Sequence, residues 1–212
     1  NNHRVIGQLY GGAAACSGNQ NNGQYDFYGR MGVSFNNGIT EHLDPLGLGI
    51  EAIWNKVQNI STAFLAMEQV GGSQACLEMS TSYAKERIQF GRPIGTFQAI
   101  QHICANMLLQ IESAKSLAYN AVRVDIDDQT ELEMSALLAK SYCSEVYNKV
   151  AGDNIQVHGG IGFTWEHPAH LYFKKAKSDS LLFGSSKSAR SKIAELRLTL
   201  IDPPVPINPF FL

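Results

Sequence analysis

Arg87, set in Lys85-Glu86-Arg87-Ile88-Gln89-Phe90-Gly91-Arg92-Pro93, carries a side chain capable of ligand chemistry. A guanidinium presents a planar fork of donors that suits phosphate oxygens. Taken alone, Arg87 is better explained by a surface ion pair with Glu86 or another nearby acid. Gln98 offers both a donor and an acceptor. Further along stands Gln156-Val157-His158-Gly159-Gly160-Ile161-Gly162-Phe163. Its paired glycines let a backbone approach a ligand closely and adopt positive φ, although such a pair often only stops a helix. His158 reads as a packed or capping residue. Lys174-Lys175-Ala176-Lys177 reads as a solvated helix face. Glu51 and Glu166 read as solvent-facing or structural acids. Cys16, Cys76, Cys104 and Cys143 form no CxxC pair, and no His/Cys grouping has zinc-site spacing, so no metal is expected. They read as reduced, buried thiols.

The elements that carry these residues are mostly helical. Residues 1–49 are rich in Gly and Asn, with Asn36-Asn37-Gly38 as a turn signal, and read as short strands and loops too few for a sheet of their own. From residue 51 to 89, apolar residues recur three or four apart: Val57, Ile60, Phe64, Met67, Val70 and Leu77 among them. Gly71-Gly72 inside that run reads as close packing against a neighbouring helix. Pro93 then disfavours helix at Arg92. A second helix is expected over 96–124, with Phe97, Ile100, Ile103, Cys104, Met107, Leu108, Ile111, Ala114, Leu117, Ala121 and Val124 inward. A third is expected over 129–157, with Leu132, Ala136, Ala139, Tyr142, Cys143, Val146 and Val150 inward. Helical regions follow over 168–182 and 186–200. The tail 201–212 begins Ile201-Asp202-Pro203-Pro204 and cannot continue a helix. Long helices with short connections predict a mainly α fold, an up-and-down four-helix bundle over 50–200 preceded by a short β/loop remnant.

Bulk properties narrow the function class. The 212 residues fit one large domain, or one domain and part of a second. The net charge of −2 gives no reason to expect a nucleic-acid or anionic-membrane partner. No apolar run approaches the roughly 18 residues of a membrane span. Asn1-Asn2-His3-Arg4 lacks the apolar stretch of a signal peptide; a transit peptide removed earlier stays open.

Three segments, in this order and spacing, resemble the C-terminal domain of acyl-CoA dehydrogenases over roughly residues 50–197. They are Tyr83-Ala84-Lys85-Glu86-Arg87-Ile88-Gln89-Phe90-Gly91-Arg92-Pro93-Ile94 with Phe97 to His102, then Gln156 to Phe163, then Leu171 to Lys177. The flavour is that of the bacterial branch acting on bulky acyl chains, including steroid side chains. The resemblance implies FAD and an acyl-CoA substrate, oxidised to a trans-2-enoyl-CoA in fatty acid or steroid side-chain β-oxidation. It also implies an electron-transferring flavoprotein as acceptor, a homo- or hetero-oligomer, and a cytoplasmic location, or the mitochondrial matrix in a eukaryote. It assigns Arg87 to the FAD diphosphate, Gln89 to a polar contact and Phe90 to packing on the cofactor. Gln98 is assigned to the adenosine part, and Gln156, Val157, Gly159 and Gly160 to the adenine side, all across a subunit interface.

The same resemblance exposes a gap. The family's α-proton is taken by a glutamate at one of two places. Ungapped counting puts Phe183, in Leu182-Phe183-Gly184-Ser185, at the first and Ser61 at the second. Neither side chain can act as that base unaided. Glu68 is a distant candidate, two helical turns beyond Ser61. The flavin-proximal Thr-x-Gln of the family reads Ser185-Ser186-Lys187, and residues 1–49 are at most the tail of a β-domain. Three functions therefore compete. The first is a base-lacking subunit that pairs with a glutamate-bearing acyl-CoA dehydrogenase subunit. The second is a structural or assembly module without flavin. The third is a self-sufficient enzyme using Glu68. The retained motif residues favour the first.

Overall fold

A computed structural model of the chain describes residues 49–200, with side chains to residue 198. The strands and loops expected before residue 49, Cys16 with them, and the tail after residue 200 lie outside the described residues. The chain divides into two compact units, Asn1–Asn55 and Lys56–Leu212. The described part of the first is the start of helix α1, where the Ile53 N–H donates to the Gly49 carbonyl at 3.2 Å.

The order is α1 (Ile50–Glu86), strands β1 (Ile88–Gln89) and β2 (Arg92–Pro93), a 3₁₀ turn (Ile94–Thr96), α2 (Gln98–Arg123), α3 (Gln129–His158), a second 3₁₀ turn (Gly159–Phe163), α4 (Ala169–Leu181) and α5 (Ser186–Leu200). The fold is mainly α, an up-and-down helical bundle, as the periodicity indicates. α3 runs through its middle, with α2, α4 and α5 all packed on it. Its start is capped by Asp128, whose carboxylate accepts from the Glu131 N–H at 3.0 Å. Ser185 caps α5 in the same way, accepting from the Ser188 N–H at 3.1 Å.

The first helix stops three residues before the expected 89. Phe90 and Gly91 both have positive φ, 54° and 78°, as a two-residue hairpin turn of the I′ kind requires. That turn needs extended chain on either side, so Ile88 and Gln89 leave the helix and pair antiparallel with Pro93 and Arg92. Pro93 sits in a short strand, where its missing N–H is tolerated.

The core is lined by small side chains. Ala63, Ala66, Val70, Cys76 and Leu77 of α1 meet Ala136, Ala139, Cys143, Val146 and Tyr147 of α3, and α2 adds Met107, Ile111, Ala114, Ala118 and Ala121. The buried stripe of α2 is thus narrower than the expected inner face. Leu108 lies on its flank, 48% exposed, and Phe97, Ile100, Ile103, Cys104, Leu117 and Val124 are only part-buried. On α1 the large Phe64 and Val57 point outward for the same reason. Buried polar pairs tie α1 to α3: Gln69 Nε2 donates to Ser144 Oγ at 3.0 Å, and Ser80 Oγ donates to Asn154 Oδ1 at 2.8 Å. Burial pushes the Cys76 and Cys143 thiols up to about 12, so both stay protonated and unreactive. Among the described residues no helix is long and apolar enough to cross a membrane.

Candidate functional site

Two chain ends meet at one end of the α1–α3 pair. The first is the exit from α1. Arg87 is exposed, and its backbone is pinned from both sides: its N–H donates to the Tyr83 carbonyl and its carbonyl accepts from the Ile94 N–H, each at 2.8 Å. Its side chain forms no ion pair with Glu86 or any other acid among the described residues; Glu86 instead accepts from Ser82 at 3.3 Å. The surface-pair explanation of Arg87 thus finds no support in the geometry. Gln89 and Gln98 are exposed too. Phe90, at the hairpin tip, is 86% exposed and touches the Phe97 ring edge-on, with centroids 6.2 Å apart. The Arg92 guanidinium lies over Phe97 at 4.3 Å. Gly95 holds the hairpin against α1, since a Cβ there would lie 2.9 Å from the Ala84 carbonyl oxygen.

The second is the C-terminal end of α3. Gln156 is exposed, whereas Val157 is buried, so the Val157 side chain packs inward and leaves only its backbone to a ligand. Gly159 turns the chain with φ 65° and ψ −140°, a conformation that favours glycine. A Cβ at Gly159 or Gly160 would meet nothing within 4 Å, so both stand beside open space. His158 is buried and packed, as expected. Its Nδ1–H donates to the Asn154 carbonyl at 2.8 Å, and its ring stacks on Tyr83 with centroids 4.4 Å apart. Tyr83 lies one helical turn before Arg87, so this stack is a direct contact between the two helix ends, beside the Ser80–Asn154 hydrogen bond one turn earlier. An exposed guanidinium, exposed amides and an open glycine-rich helix end are of the chemistry that a dinucleotide cofactor needs. A shallow groove at the start of α3, lined by Asp128, Glu131, Met134 and Arg197, lies at that helix's other end, about 40 Å away.

The positions considered for a base fall elsewhere. Phe183 has φ 56°, unusual for a bulky residue, and is followed by Gly184 at φ 98°. Ser61 is part-buried on α1. Glu68 is exposed, and Lys175 Nζ holds its Oε1 at 3.0 Å.

The basic run is more than a solvated face. Lys175 also holds Asp179 Oδ1 at 2.6 Å, and Asp179 is 2% exposed. Lys140, equally buried, donates to the Asp179 carbonyl oxygen at 2.6 Å. Burial lowers Lys140 to about 8 against the opposing pull of Asp179, and burial raises Asp179. Lys174 Nζ sits 4.4 Å from the centre of the Trp165 ring. The sequence reading also missed His167 and His170, which join His158 in one cluster. Their spacing after His158, nine and twelve residues, has no helical period because a turn intervenes.

The bundle, its capped helices and the two motif-bearing ends define a helical-bundle domain. Residues 49–197 match the family described as acyl-CoA dehydrogenase, C-terminal domain, and the chain belongs to that family. Acyl-CoA dehydrogenase IpdE2 of Mycolicibacterium smegmatis is 39% identical over 120 residues, covering 57% of this chain and 37% of that relative. Acyl-CoA dehydrogenase FadE34 of Mycobacterium tuberculosis is 41% identical over 138 residues, covering 65% of this chain and 19% of that relative. Among solved structures, a variant of the Tcur3481-Tcur3483 steroid ACAD superposes with a TM-score of 0.64 at 33% identity, covering 68% of this chain and 39% of that one. The chain spans well under half the length of these relatives.

Proposed function

We propose that this chain supplies the base-lacking, flavin-gripping half of an acyl-CoA dehydrogenase, assembled with a glutamate-bearing subunit and acting on a bulky acyl-CoA thioester. The observation that carries the reading is Arg87: exposed, without an ion pair among the described residues, and joined through Tyr83 and His158 to the open Gly159–Gly160 end. Selection for bulk alone would not keep those residue types on those two chain ends. Arg87 holds the diphosphate through its forked donors. Gln89, Gln98 and Gln156 hydrogen-bond the polar edges of the dinucleotide, Phe90 covers an apolar face, and the Gly159–Gly160 backbone admits close approach. FAD held by these residues would supply a hydride acceptor for the β-carbon of the thioester. Among the described residues the two positions that the family resemblance points to offer no carboxylate for the α-proton, Phe183 being a hydrocarbon and Ser61 a hydroxyl, and Glu68 is held by Lys175. The α-proton would go to a carboxylate of the partner subunit, with an electron-transferring flavoprotein as the onward acceptor. Similarity to a steroid ACAD supports a bulky acyl group.

The test is co-expression with a glutamate-bearing homologue encoded beside it, followed by the visible spectrum of the purified material. Association with a gain of bound FAD over the homologue alone is expected, and Arg87→Gln should remove most of that gain. A colourless complex would favour an assembly module on the same bundle. Absence of association would sink the heteromer outright. Turnover by this chain alone, lost in Glu68→Gln, would move the base to Glu68.

A further inference from the structure

Three imidazoles and two large aromatics are packed where α3 ends. His158 stacks on Tyr83, at 4.4 Å, and packs tilted against His167, at 4.2 Å between centroids. His167 Nδ1 accepts from the Ala169 N–H at 3.2 Å, so it must carry a lone pair. That bond ties the turn before α4 to the helix's first residue. His170 Nδ1–H donates to the His167 carbonyl at 2.8 Å. Its Nε2 is buried without a hydrogen-bond partner. Trp165 meets the His170 ring edge-on at 4.9 Å, with Lys174 over the indole. The geometry thus needs His167 neutral, and a proton on His170 Nε2 would find no acceptor.

The charges nearby favour the same state. His167 faces His158 from α3, with Tyr83 of α1 behind it, and His170 from α4, with Lys174 beyond Trp165. Its chain neighbour Glu166 is exposed, and no carboxylate forms an ion pair with any of the three histidines among the described residues. A proton on His167 therefore meets imidazoles and no counter-charge, and it removes the bond to Ala169.

We infer that the Tyr83–His158–His167 stack is a proton-sensitive positioning latch, which holds the Arg87 end of α1 and the Gly159–Gly160 end of α3 together and releases them when His167 is protonated. As regulation of the cofactor site, the inference rests on the function proposed above; as a mechanical coupling it stands on the packing alone. Burial lowers the His167 pKa below its ordinary 6.5, with His158 and His170 adding to the shift. The folded chain therefore binds fewer protons than the unfolded one just below that value. The latch is whole above 6.5, and its contribution is lost as pH falls through the window beneath.

The experiment is backbone hydrogen exchange of the full chain at about pH 7.5 and about pH 5, corrected for intrinsic rates, with His167→Asn beside wild type. An Asn Oδ1 can accept from the Ala169 N–H but does not titrate. Wild type should lose protection together over residues 87–95 and 159–170 on acidification, with the midpoint of the His167 imidazole titration read by NMR. His167→Asn, which lacks both the stacked ring and the titrating group, should show the same protection at both pH values in both segments. Loss in one segment only, a midpoint displaced from that of His167, or the same loss in His167→Asn would overturn the latch. If the variant does not fold, the wild-type coincidence of midpoint and of both segments decides. FAD titration of the chain with its partner reads the other claim: weaker binding at the acid pH supports regulation of the site. FAD binding at neither pH would refute the cofactor reading while exchange still decides the latch.

Discussion

Along the α1–α3 seam, a Cβ on Gly72 would lie 2.6 Å from the buried Tyr147 ring, whereas at the loop end of the same two helices a Cβ on Gly159 or Gly160 would meet nothing within 4 Å. Both places use adjacent glycines, and the physics differs. At the seam, Gly72 removes a side chain so that two helices can close up, and Ala66, Ser73, Ser80, Ala139 and Ser144 extend the same economy of volume. At the loop end, glycine keeps space empty and turns the backbone through positive φ. The polar groups follow the same division. At the seam, Gln69, Ser144, Ser80 and Asn154 hydrogen-bond one another; at the loop end, Arg87, Gln89, Gln98 and Gln156 are exposed. One region is specified by what must fit inside, the other by what is left available.

The largest expected effect comes from the buried charges that pin α4 to α3. Asp179→Ala removes the buried carboxylate that Lys175 holds and whose charge offsets that of Lys140, while Lys140 keeps its bond to the residue-179 carbonyl, and should cost about 3 kcal/mol of unfolding free energy in denaturant titration. In the parent chain the buried Lys140 has its pKa lowered to about 8, from an ordinary 10.5, chiefly by burial. The unfolded chain then binds more protons between those two values, so stability should rise with pH across that window. Lys140→Met should flatten this slope when midpoints are compared at about pH 8 and pH 10.

Next comes Gly72→Ala, which forces a methyl into the Tyr147 ring and should cost about 2 kcal/mol. Its neighbour sharpens the comparison. A Cβ on Gly71 meets nothing, so Gly71→Ala should stabilise by about 0.5–1 kcal/mol through helix propensity alone. If the two substitutions behaved alike, the seam would not be packed as described. Smallest in stability is Arg87→Gln, expected within about 0.5 kcal/mol of the parent, though it should remove most of the FAD gain in the heteromer. A large loss of stability there would make Arg87 a structural residue and dissolve the contrast.

Much of the fold was legible in the chain itself. The α5 bounds agree with the expected 186–200, and α3 differs by a single residue at its end. The close-packing reading of Gly71-Gly72 holds for Gly72 and fails for Gly71, which faces open space. The buried thiols hold at Cys76 and Cys143, while Cys104 is only part-buried. The faces of α1 and α2 were harder to read. Hydrophobic periodicity weights large side chains, yet alanine and serine stripes are what two close helices bury. That is why Phe64 and Leu108, which look like core, stand outside it.

By itself the sequence determined the helices, their stops to within three residues and the order of the motif residues, because these follow from periodicity, capping and glycine chemistry within a few residues. Only the tertiary structure decided that Tyr83 of α1 stacks on His158 of α3, that His167 and His170 join them, and that Lys175 divides itself between Glu68 and Asp179. Those contacts join residues far apart along the chain. Which groups meet depends on how closely the helices approach, and that distance is set by the small residues between them.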